Sequence, residues 1–362
     1  KVVYRRHTNF SMETISQTVN GSNTNTDGSS STVTISRNGD LVHKVYVNFT
    51  EADKSDFVAS MKEVELEIGG QRIDKHSADW LATWLELSTP AGRAYELSTM
   101  IGDGGTGKVL GDGGRVSVAQ VPLQFWFCRN PGLALPLIAL QYHEVKIKFQ
   151  WQGSSAGNFD VLCDYIYLDT DERRRFAQVS HESLIEQVQE QSESLSSSNL
   201  NLRLNFNHPV KELIWSIGDS NTGLMTAVEP VDHTVKLQLN GHDRFSEQKQ
   251  EYFGLRQTFD YHSAVPGPNL PQRAEGVYYY NQVGGPSRTG NVIDTCQSPI
   301  YVYSFALKPE EHQPSGTCNF SRIDNAKMIF NAAPTSATCK IFAVNYNVLR
   351  IMSGMGGLAY SN

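Results

Sequence analysis

The segment VELEIGG, residues 64–70, alternates apolar and acidic side chains over its first five positions and ends on two glycines. Alternation with a period of two places the apolar side chains on one face of a β-strand, and paired glycines favour a turn after it. The segments VKIKFQW, residues 145–151, and LNLRLNF, residues 200–206, have the same period. Such segments are typical of antiparallel sheets with one face in a core and the other in water.

A counterpart of the first strand, VKLQLNG, occurs at residues 235–241, about 170 residues further along the chain. The features around the two strands also match in order, with an offset that grows through insertions. The matched pairs are FSMETISQTV from Phe10 with HESLIEQVQE from His181, STVTISRNGDLVHKVYVNF from Ser31 with LNLRLNFNHPVKELIWSI from Leu200, VPLQFWFCRNPG from Val121 with PIYVYSFALKPE from Pro299, and FDVLCDYIYL from Phe159 with TCKIFAVNYNVL from Thr338. This ordered series indicates an internally duplicated chain.

The duplication predicts an all-β fold of two tandem eight-stranded antiparallel jelly rolls, a double jelly roll with short helices and long loop insertions. The short helices are predicted at Ala78–Leu87 and Gln248–Leu255, and the insertions at residues 90–115 and 261–298. We predict an N-terminal jelly roll at residues 1–175 and a C-terminal jelly roll at residues 176–362. A chain of 362 residues also exceeds the size at which single cores usually keep growing, which favours two domains.

The overall charge argues against direct binding of nucleic acid. The net charge is -7 and the isoelectric point about 5.8, so there is no electrostatic basis for counterion release from phosphates. The basic run at Arg173–Arg175 follows three acidic residues and is predicted to be a solvated or salt-bridged turn rather than a nucleic-acid patch. No apolar stretch approaches the roughly 18–20 residues that span a bilayer, so we expect neither a signal peptide nor membrane insertion.

The residue types that carry catalysis or bind metals are scattered. The segment GDGGTGKV, residues 102–109, lacks the final hydroxyl of a phosphate-binding loop and is predicted to be a flexible surface loop. His76 and Asp79 have helical spacing without a third ligand and are predicted to form a surface pair. The sequence therefore predicts no catalytic residue, no cofactor-binding residue and no metal site.

The five cysteines are odd in number and widely spaced, which is typical of free thiols in a reduced compartment. They are Cys128, Cys163, Cys296, Cys318 and Cys339. No pair has the CxxC spacing of a zinc site. We expect free and mostly buried thiols.

Four sequons occur, at Asn9, Asn20, Asn48 and Asn319. Without a signal peptide, these sequons are expected to be chance matches. Asn20 and Asn319 are the candidate glycosylation sites, and Asn20 is predicted to lie in a loop. The aromatic run Tyr278–Tyr280 lies in the second insertion, where packing between subunits or within the loop is favoured over sugar binding.

Four segments carry a resemblance to a known family over nearly the whole chain. They are YSFALKPEEHQPSGTCNFSRID (Tyr303–Asp324), RHTNFSMETISQT (Arg6–Thr18), VELEIGGQRIDKH (Val64–His76) and NPGLALPLIALQYHEVKIKF (Asn130–Phe149). The first closely resembles a hallmark segment of major capsid proteins from nucleocytoplasmic large double-stranded DNA viruses, which include algal, giant and iridovirus-like members. The other three are similar to further segments of that family, in the family's order.

The resemblance implies a non-enzymatic shell protein that trimerises into pseudo-hexagonal capsomers of an icosahedral capsid. It also implies that the two insertions crown the outer face, that neighbouring capsomers and minor capsid proteins on the inner face are partners, and that assembly occurs in the host cytoplasm. Glycosylation in this family need not follow sequons.

Two other hypotheses are compatible with the sequence. A minor capsid or scaffold paralogue would share the fold, and its copy number in the virion would distinguish it. A carbohydrate-binding or carbohydrate-cleaving jelly roll would also share the fold, because fold alone does not fix function. A glycan array or a hydrolase screen would distinguish that class.

Overall fold

The computed structural model describes residues 9–50, 57–101, 118–152, 157–218, 233–264, 300–333 and 337–360. The strands of the first half are β1 (Phe10–Gln17), β2 (Val19–Gly21), β3 (Ser30–Thr34), β4 (Leu41–Thr50), β5 (Met61–Ile68), β6 (Gln71–Ser77), β7 (Val118–Pro122), β8 (Leu135–Pro136), β9 (Val145–Trp151) and β10 (Asn158–Leu168). Those of the second half are β11 (His181–Leu195), β12 (Asn201–Leu204), β13 (Pro209–Gly218), β14 (Thr234–Leu239), β15 (His242–Asp243), β16 (Gln248–Lys249), β17 (Ile300–Ser304), β18 (Cys318–Asn319), β19 (Ala326–Phe330), β20 (Ala337–Met352) and β21 (Met355–Leu358).

Each half forms two antiparallel sheets. In the first half, sheet I has the order β1-β10-β4-β7, with β8 on β4, and sheet II has the order β2-β3-β9-β5-β6. In the second half, sheet III has the order β11-β20-β13-β17, with β18 on β13 and β21 on β20. Sheet IV has the order β12-β19-β14-β15, with β16 on β14. The predicted double jelly roll is confirmed, with several short strands added to the eight expected per half.

We call sheets I and II with their connections the first unit, and sheets III and IV with theirs the second unit. The alternation that predicted the strands also fills the two cores, because alternate side chains point to opposite faces. Val64, Leu66 and Ile68 of β5 are fully buried in the core of the first unit. Val235 and Leu237 of β14 have the same role in the second unit.

The helices are α1 (Phe57–Ser60), α2 (Ala78–Ser88), α3 (Ala94–Met100), α4 (Trp126–Arg129), α5 (Thr170–Gln178) and α6 (Gln257–Tyr261). Short 3-10 turns occur at Ala91–Arg93, Pro131–Leu133, Leu137–Ala139 and Phe320–Arg322, and a π-helical segment at Tyr252–Arg256 leads into α6. The helix predicted at Ala78–Leu87 is confirmed as α2.

Three local predictions are wrong in whole or in part. The second helix was expected at Gln248–Leu255, but Gln248 and Lys249 pair with β14 and the helical segment runs from Tyr252 to Tyr261. The first insertion begins with helical turns over residues 91–100, because Leu97 there packs into the first core. The basic run lies in helix α5 rather than in a turn, and the N-cap Asp169 of this helix accepts from Thr170 N. The predicted salt bridge is confirmed, because Arg173 pairs with Asp40 at 2.8 Å.

Within each unit, the insertions attach at one end of the sandwich. In the first unit, Thr50 is the register partner of both Val118 and Asn158, and the chain enters or leaves residues 51–56, 102–117 and 153–156 beside these positions. In the second unit, Gly218 is the partner of Thr338, and residues 265–299 end one position before Ile300 in β17. Residues 102–117 and 265–299, which include most of the two predicted insertions, lie outside the described residues.

Candidate functional site

Helix α2 is the element on which the two units meet. It begins at an N-cap where Ser77 Oγ accepts a hydrogen bond from Trp80 N at 3.2 Å. Every residue from Ala78 to Leu87 is buried. A helix on the outside of a sandwich normally keeps one polar face in water, so burial all round means that α2 is covered on both sides.

One side of α2 faces its own unit, where Leu81, Ala82 and Leu85 join the first core. The other side packs three large apolar residues, Trp80, Trp84 and Leu87, against the outer face of sheet III. That face is formed by Ile214, Ile300, Val302, Phe342 and Val344. The ring of Trp80 lies 5.4 Å from the rings of both Trp84 and Phe342, measured between centroids. The contact is a third apolar cluster, shared by the two units.

Replacing Ser77 with alanine is expected to lower the free energy of unfolding by about 1 kcal/mol, because the N–H of Trp80 loses its acceptor at the buried start of α2. The urea midpoint should fall while the slope of the unfolding curve is unchanged. Ser77→Thr keeps an acceptor oxygen and serves as the control. An unchanged midpoint for the alanine variant would mean that another group takes over the cap.

Polar contacts join the units beside the apolar cluster. Strand β11 of the second unit runs along β6 of the first, and Gln187 Nε2 donates a hydrogen bond to Ile73 O. Val188 N donates to Asp74 Oδ1 at 3.1 Å. At the end of α2, Ala264 N of the second unit donates to Leu87 O at 3.0 Å. Backbone groups of both units are therefore satisfied across the interface rather than by water.

A buried ion cluster centres on Glu186 of β11. Its carboxylate lies 2.6 Å from Arg129 Nη1 of α4 in the first unit and 2.8 Å from Lys211 Nζ of β13. His312 Nδ1 lies 3.5 Å away. Burial by itself raises the pKa of Glu186, but the surrounding cations outweigh it and lower the pKa to about 2. The carboxylate is therefore ionised at neutral pH, as the fully buried Lys211 ammonium requires.

A second buried cluster centres on His262, which follows α6. Its Nε2 lies 2.9 Å from Glu212 Oε2 and its Nδ1 lies 3.0 Å from Glu310 Oε1. The edge of the imidazole faces Trp84 of the first unit at 6.2 Å between centroids. Burial lowers the pKa of His262, but the two carboxylates outweigh it and raise the pKa to about 9. The imidazolium thus ties the chain immediately after α6 to β13.

Stability is expected to fall as pH rises from 6.5 towards 9. The charged form of His262 is favoured in the folded chain, so its contribution is complete below the ordinary pKa of 6.5 and is lost as pH passes through about 9. A shift of this size corresponds to a loss on the order of 3 kcal/mol. Urea midpoints measured across this range should fall more steeply for the wild type than for His262→Gln, and parallel curves would contradict the assignment.

The predicted surface pair of His76 and Asp79 is wrong. His76 is 1% exposed and its Nε2 lies 2.9 Å from Asp74 Oδ2 on the same strand. Asp79 pairs instead with Lys340 of β20 in the second unit. The helical spacing misled the prediction, because His76 lies in β6 and Asp79 in the first turn of α2.

A cleft of about 360 Å³ opens where the units meet, and its walls include Lys44, Tyr46, Trp84, Cys128, Arg129 and Glu310. The charged groups at its inner wall are already paired, Arg129 with Glu186 and Glu310 with His262. Burial raises the pKa of the Cys128 thiol to about 12, so it is not a nucleophilic thiolate at neutral pH. Arg129 and Glu310 therefore act in the cleft as members of structural ion pairs.

The cysteine prediction is confirmed for the four cysteines that the structure describes: all are free thiols, and Cys318 alone among them is half-buried rather than buried. Cys296 lies outside the described residues, as do Tyr278–Tyr280 and the glycine-rich segment 102–109. Among the described residues there is no cluster of three or more potential metal ligands. Nor does any described helix combine the length and the apolar character needed to cross a bilayer.

The sequon asparagines lie in different surroundings. Asn20 is exposed but belongs to strand β2, which corrects the loop predicted there, because residues 19–21 pair with β3. Asn319 is half-buried, and its Oδ1 accepts from Ser321 N. Asn48 is half-buried and donates to Asp160 Oδ1 at 2.6 Å. Asn9 is exposed at the start of the described chain.

The interface between the units was missed at the level of sequence. One signal was present: residues 209–218 of β13, PVKELIWSIG, interrupt the alternation with apolar residues at successive positions, Leu213 to Trp215. A strand that is apolar at successive positions is typical of burial on both faces. The ion pairs left no such signal, because their partners lie far apart along the chain.

Comparison with known proteins gives matches along the full length. Residues 1–169 match the family described as major capsid protein N-terminus. Residues 172–357 match the family described as large eukaryotic DNA virus major capsid protein. The major capsid protein of Pyramimonas orientalis virus is 51% identical, with 100% of this chain and 93% of the relative covered. That of Paramecium bursaria Chlorella virus 1 is 38% identical, with 100% and 94% covered.

Solved structures give the same result. The quasi-atomic model of the PBCV-1 virus capsid contains a chain with a TM-score of 0.78 and 36% identity, covering 100% of this chain and 99% of that one. The Faustovirus major capsid protein has a TM-score of 0.72 at 12% identity, covering 97% of this chain and 92% of that one, which shows the fold alone.

Proposed function

The chain belongs to the large eukaryotic DNA virus major capsid protein family, and on that premise we propose that three copies of it form one capsomer of the virion shell. It is a capsid protein, a structural subunit of the shell. The observation that carries the proposal is the interface at α2, which holds two similar sandwiches in one orientation. Three such chains give six sandwiches, a pseudo-hexagonal unit that tiles an icosahedral surface.

The native mass tests the trimer directly. Size-exclusion chromatography with multi-angle light scattering is expected to give three times the chain mass of 40.3 kDa. A single species at the mass of one chain would contradict the homotrimer, provided that circular dichroism shows folded protein.

We place the boundary between the domains at residues 175 and 176. Strand β10 ends at Leu168 and β11 begins at His181, with only α5 between them. The family matches also change over here, at residues 169 and 172. The placement predicts that limited proteolysis cuts the chain within α5. The two fragments should separate only after the interface at α2 has opened.

We propose that the end of each unit that bears the insertions faces outward and that the opposite end faces minor capsid proteins inside the shell. The opposite end exposes Tyr142, Met352 and Met355. Tyr142 lies against the β20–β21 hairpin, where its N–H donates to Gly354 O at 3.0 Å. Exposed apolar side chains grouped in this way are typical of a protein contact.

The proposed role includes no catalysis, no cofactor, no direct contact with nucleic acid and no membrane insertion. The paired charges in the cleft support the first point. The acidic net charge of -7 supports the third, because phosphates would be repelled. We also propose assembly in the host cytoplasm, where the free thiols would stay reduced.

Asn20 and Asn319 stay candidate glycosylation sites. Asn20 is the better candidate because its side chain is exposed, whereas the amide of Asn319 caps a 3-10 turn. Peptide mapping by mass spectrometry of protein from virions tests both residues, and unmodified peptides would remove both from consideration.

A further inference from the structure

The two ion clusters at the interface share one region on the outer face of sheet III. Glu186 of β11 and Tyr346 of β20 are direct register partners, so their side chains lie on the same face. Glu212 of β13 pairs with Val344, two positions before Tyr346, and Val344 belongs to the apolar cluster on that face. Alternate residues of a strand share a face, so Glu186, Tyr346 and Glu212 all point towards the first unit.

A β-bulge brings Lys211 into the same region. The register of β13 against β20 shifts between Val210 and Glu212, which makes Lys211 the extra residue on β13. Its Nζ lies 2.8 Å from Glu186 Oε1 and 5.5 Å from the centre of the Tyr346 ring. A bulge re-aims a side chain, and here two successive charged residues, Lys211 and Glu212, are both fully buried at the interface.

Four buried polar atoms of this region have no hydrogen-bond partner among the residues that the structure describes. They are Lys211 Nζ, Glu212 Oε1, His312 Nδ1 and Tyr346 Oη, and we call these four residues with Glu186 the polar patch. Lys211 is close to Glu186, but none of the three N–H donors of its ammonium makes a well-aligned hydrogen bond.

The other members of the polar patch are unmet in the same way. His312 Nδ1 lies 3.5 Å from Glu186 Oε1, at the upper limit for a direct hydrogen bond. Glu212 uses Oε2 to bind His262 at 2.9 Å, which leaves Oε1 without a donor. Buried donors and acceptors without partners cost free energy, and native interiors normally satisfy them with protein groups or with ordered water.

The charges around the polar patch already balance. The ion pairs of the two clusters join three cations, Arg129, Lys211 and His262, to three carboxylates, Glu186, Glu212 and Glu310. Burial raises the pKa of Tyr346, so its hydroxyl keeps its proton. An added ion would bring an uncompensated charge into a buried site, which is strongly unfavourable. A neutral molecule that both donates and accepts hydrogen bonds suits the polar patch instead.

We propose that the polar patch binds ordered water between the two units. Water accepts from the Lys211 ammonium and the Tyr346 hydroxyl and donates to Glu212 Oε1, while His312 Nδ1 lines the same site. Enclosed water makes about three hydrogen bonds to otherwise unmet groups and is part of the structure rather than bulk solvent. It joins the two ion clusters, because Lys211 belongs to the first and Glu212 to the second.

A crystal structure of the full chain, at a resolution that shows ordered water, tests the site directly. Density for water is expected within hydrogen-bond distance of about three of the four unmet atoms. Side chains that bond one another directly, with no density between them, would overturn the proposal. Crystals soaked in bromide test for an anion: no anomalous peak is expected at the polar patch, and a peak there would overturn water as the occupant.

Tyr346→Phe gives an independent reading in solution, because the sign of its effect differs between a hydrated and a dry site. If water bonds the hydroxyl, its removal should lower the urea midpoint. In a dry site the hydroxyl is an unmet buried group, and its removal should raise the midpoint. Tyr165→Phe is the matched control, since Tyr165 is also buried and its hydroxyl donates to Ser36 O at 2.7 Å.

Both variants are therefore expected to have lower urea midpoints than the wild type. A midpoint for Tyr346→Phe that equals or exceeds the wild-type value, beside a fall for Tyr165→Phe, would overturn the water site. The proposal is independent of the trimer. Water density in a chain that proves to be monomeric would support the site and overturn only the trimer, and a dry polar patch in a trimeric chain would do the reverse.

Discussion

Replacing Glu186 with alanine is expected to lower the free energy of unfolding by about 3–5 kcal/mol. The carboxylate is 4% exposed and neutralises Lys211, whose side chain is fully buried 2.8 Å away. Without it, Lys211 must either keep a charge in an apolar setting or lose its proton, and both cost free energy. Arg129, the cation that the first unit contributes, also loses its partner. The loss is measured as a shift of the urea midpoint.

The double variant Glu186→Leu with Lys211→Met is the informative control. Replacing both partners by apolar residues of similar size is often nearly neutral, so this double variant should be more stable than Glu186→Ala alone. The two charges would not be coupled if the double variant lost as much free energy of unfolding as Glu186→Ala, or as much as the sum of the two single losses. A loss below about 1 kcal/mol for Glu186→Ala would show that water reaches the cluster.

The same carboxylate gives an acid dependence of opposite sign to that of His262. Its pKa is lowered from 4.5 to about 2, so its contribution is complete above pH 4.5 and is lost as pH falls towards 2. Between pH 5 and 6.5 both clusters are fully charged, and the interface between the units should be at its most stable there.

Much of the fold was predictable because it depends on local patterns of apolar, polar and glycine residues in the sequence. The alternation in β5 and β14 fixed which side chains enter each core, and the glycines after them fixed the turns. Gly70 and Gly241 both adopt positive φ, at 85° and 82°, as the matched turns require. The repeated order of these features was sufficient to predict two tandem jelly rolls.

The interface between the units was not predictable in the same way. Lys211 and Glu212 follow each other in β13, where alternation would leave one of them in water. Both are fully buried, because the first is neutralised by Glu186 and the second by His262, 25 and 50 positions away in the chain. Contacts of this kind depend on how two folded sandwiches dock, and no local sequence pattern predicts that docking.

The position of the second predicted helix shows a different limit. Residues 248–255 have enough helical character to predict a helix there, but pairing with β14 takes Gln248 and Lys249 into a sheet. Tertiary context overrides local propensity at such boundaries. The shift brings Phe259 into the helical segment, where its side chain is 77% exposed.

Replacing Trp80 with alanine is expected to cost about 3–5 kcal/mol, since the side chain is fully buried between α2 and sheet III. Its ring contacts Trp84 and Phe342, one in each unit, so the cavity would open at the shared cluster rather than within either core. The two units should then unfold less cooperatively, because the contact that couples them is weakened. Calorimetry is expected to show one transition for the wild type and two for the variant.

Trp80→Phe separates packing from size. The indole N–H of Trp80 is buried and has no hydrogen-bond partner in the part of the chain that the structure describes, so removing it relieves an unmet donor while most of the ring contact is kept. This variant should lose far less stability than Trp80→Ala and should keep a single transition. Because the proposed trimer needs both sandwiches in one orientation, Trp80→Ala should also weaken assembly, whereas Trp80→Phe should not. If Trp80→Ala unfolds in one transition and still forms trimers, the orientation of the units is held by the ion clusters around Glu186 and His262 instead.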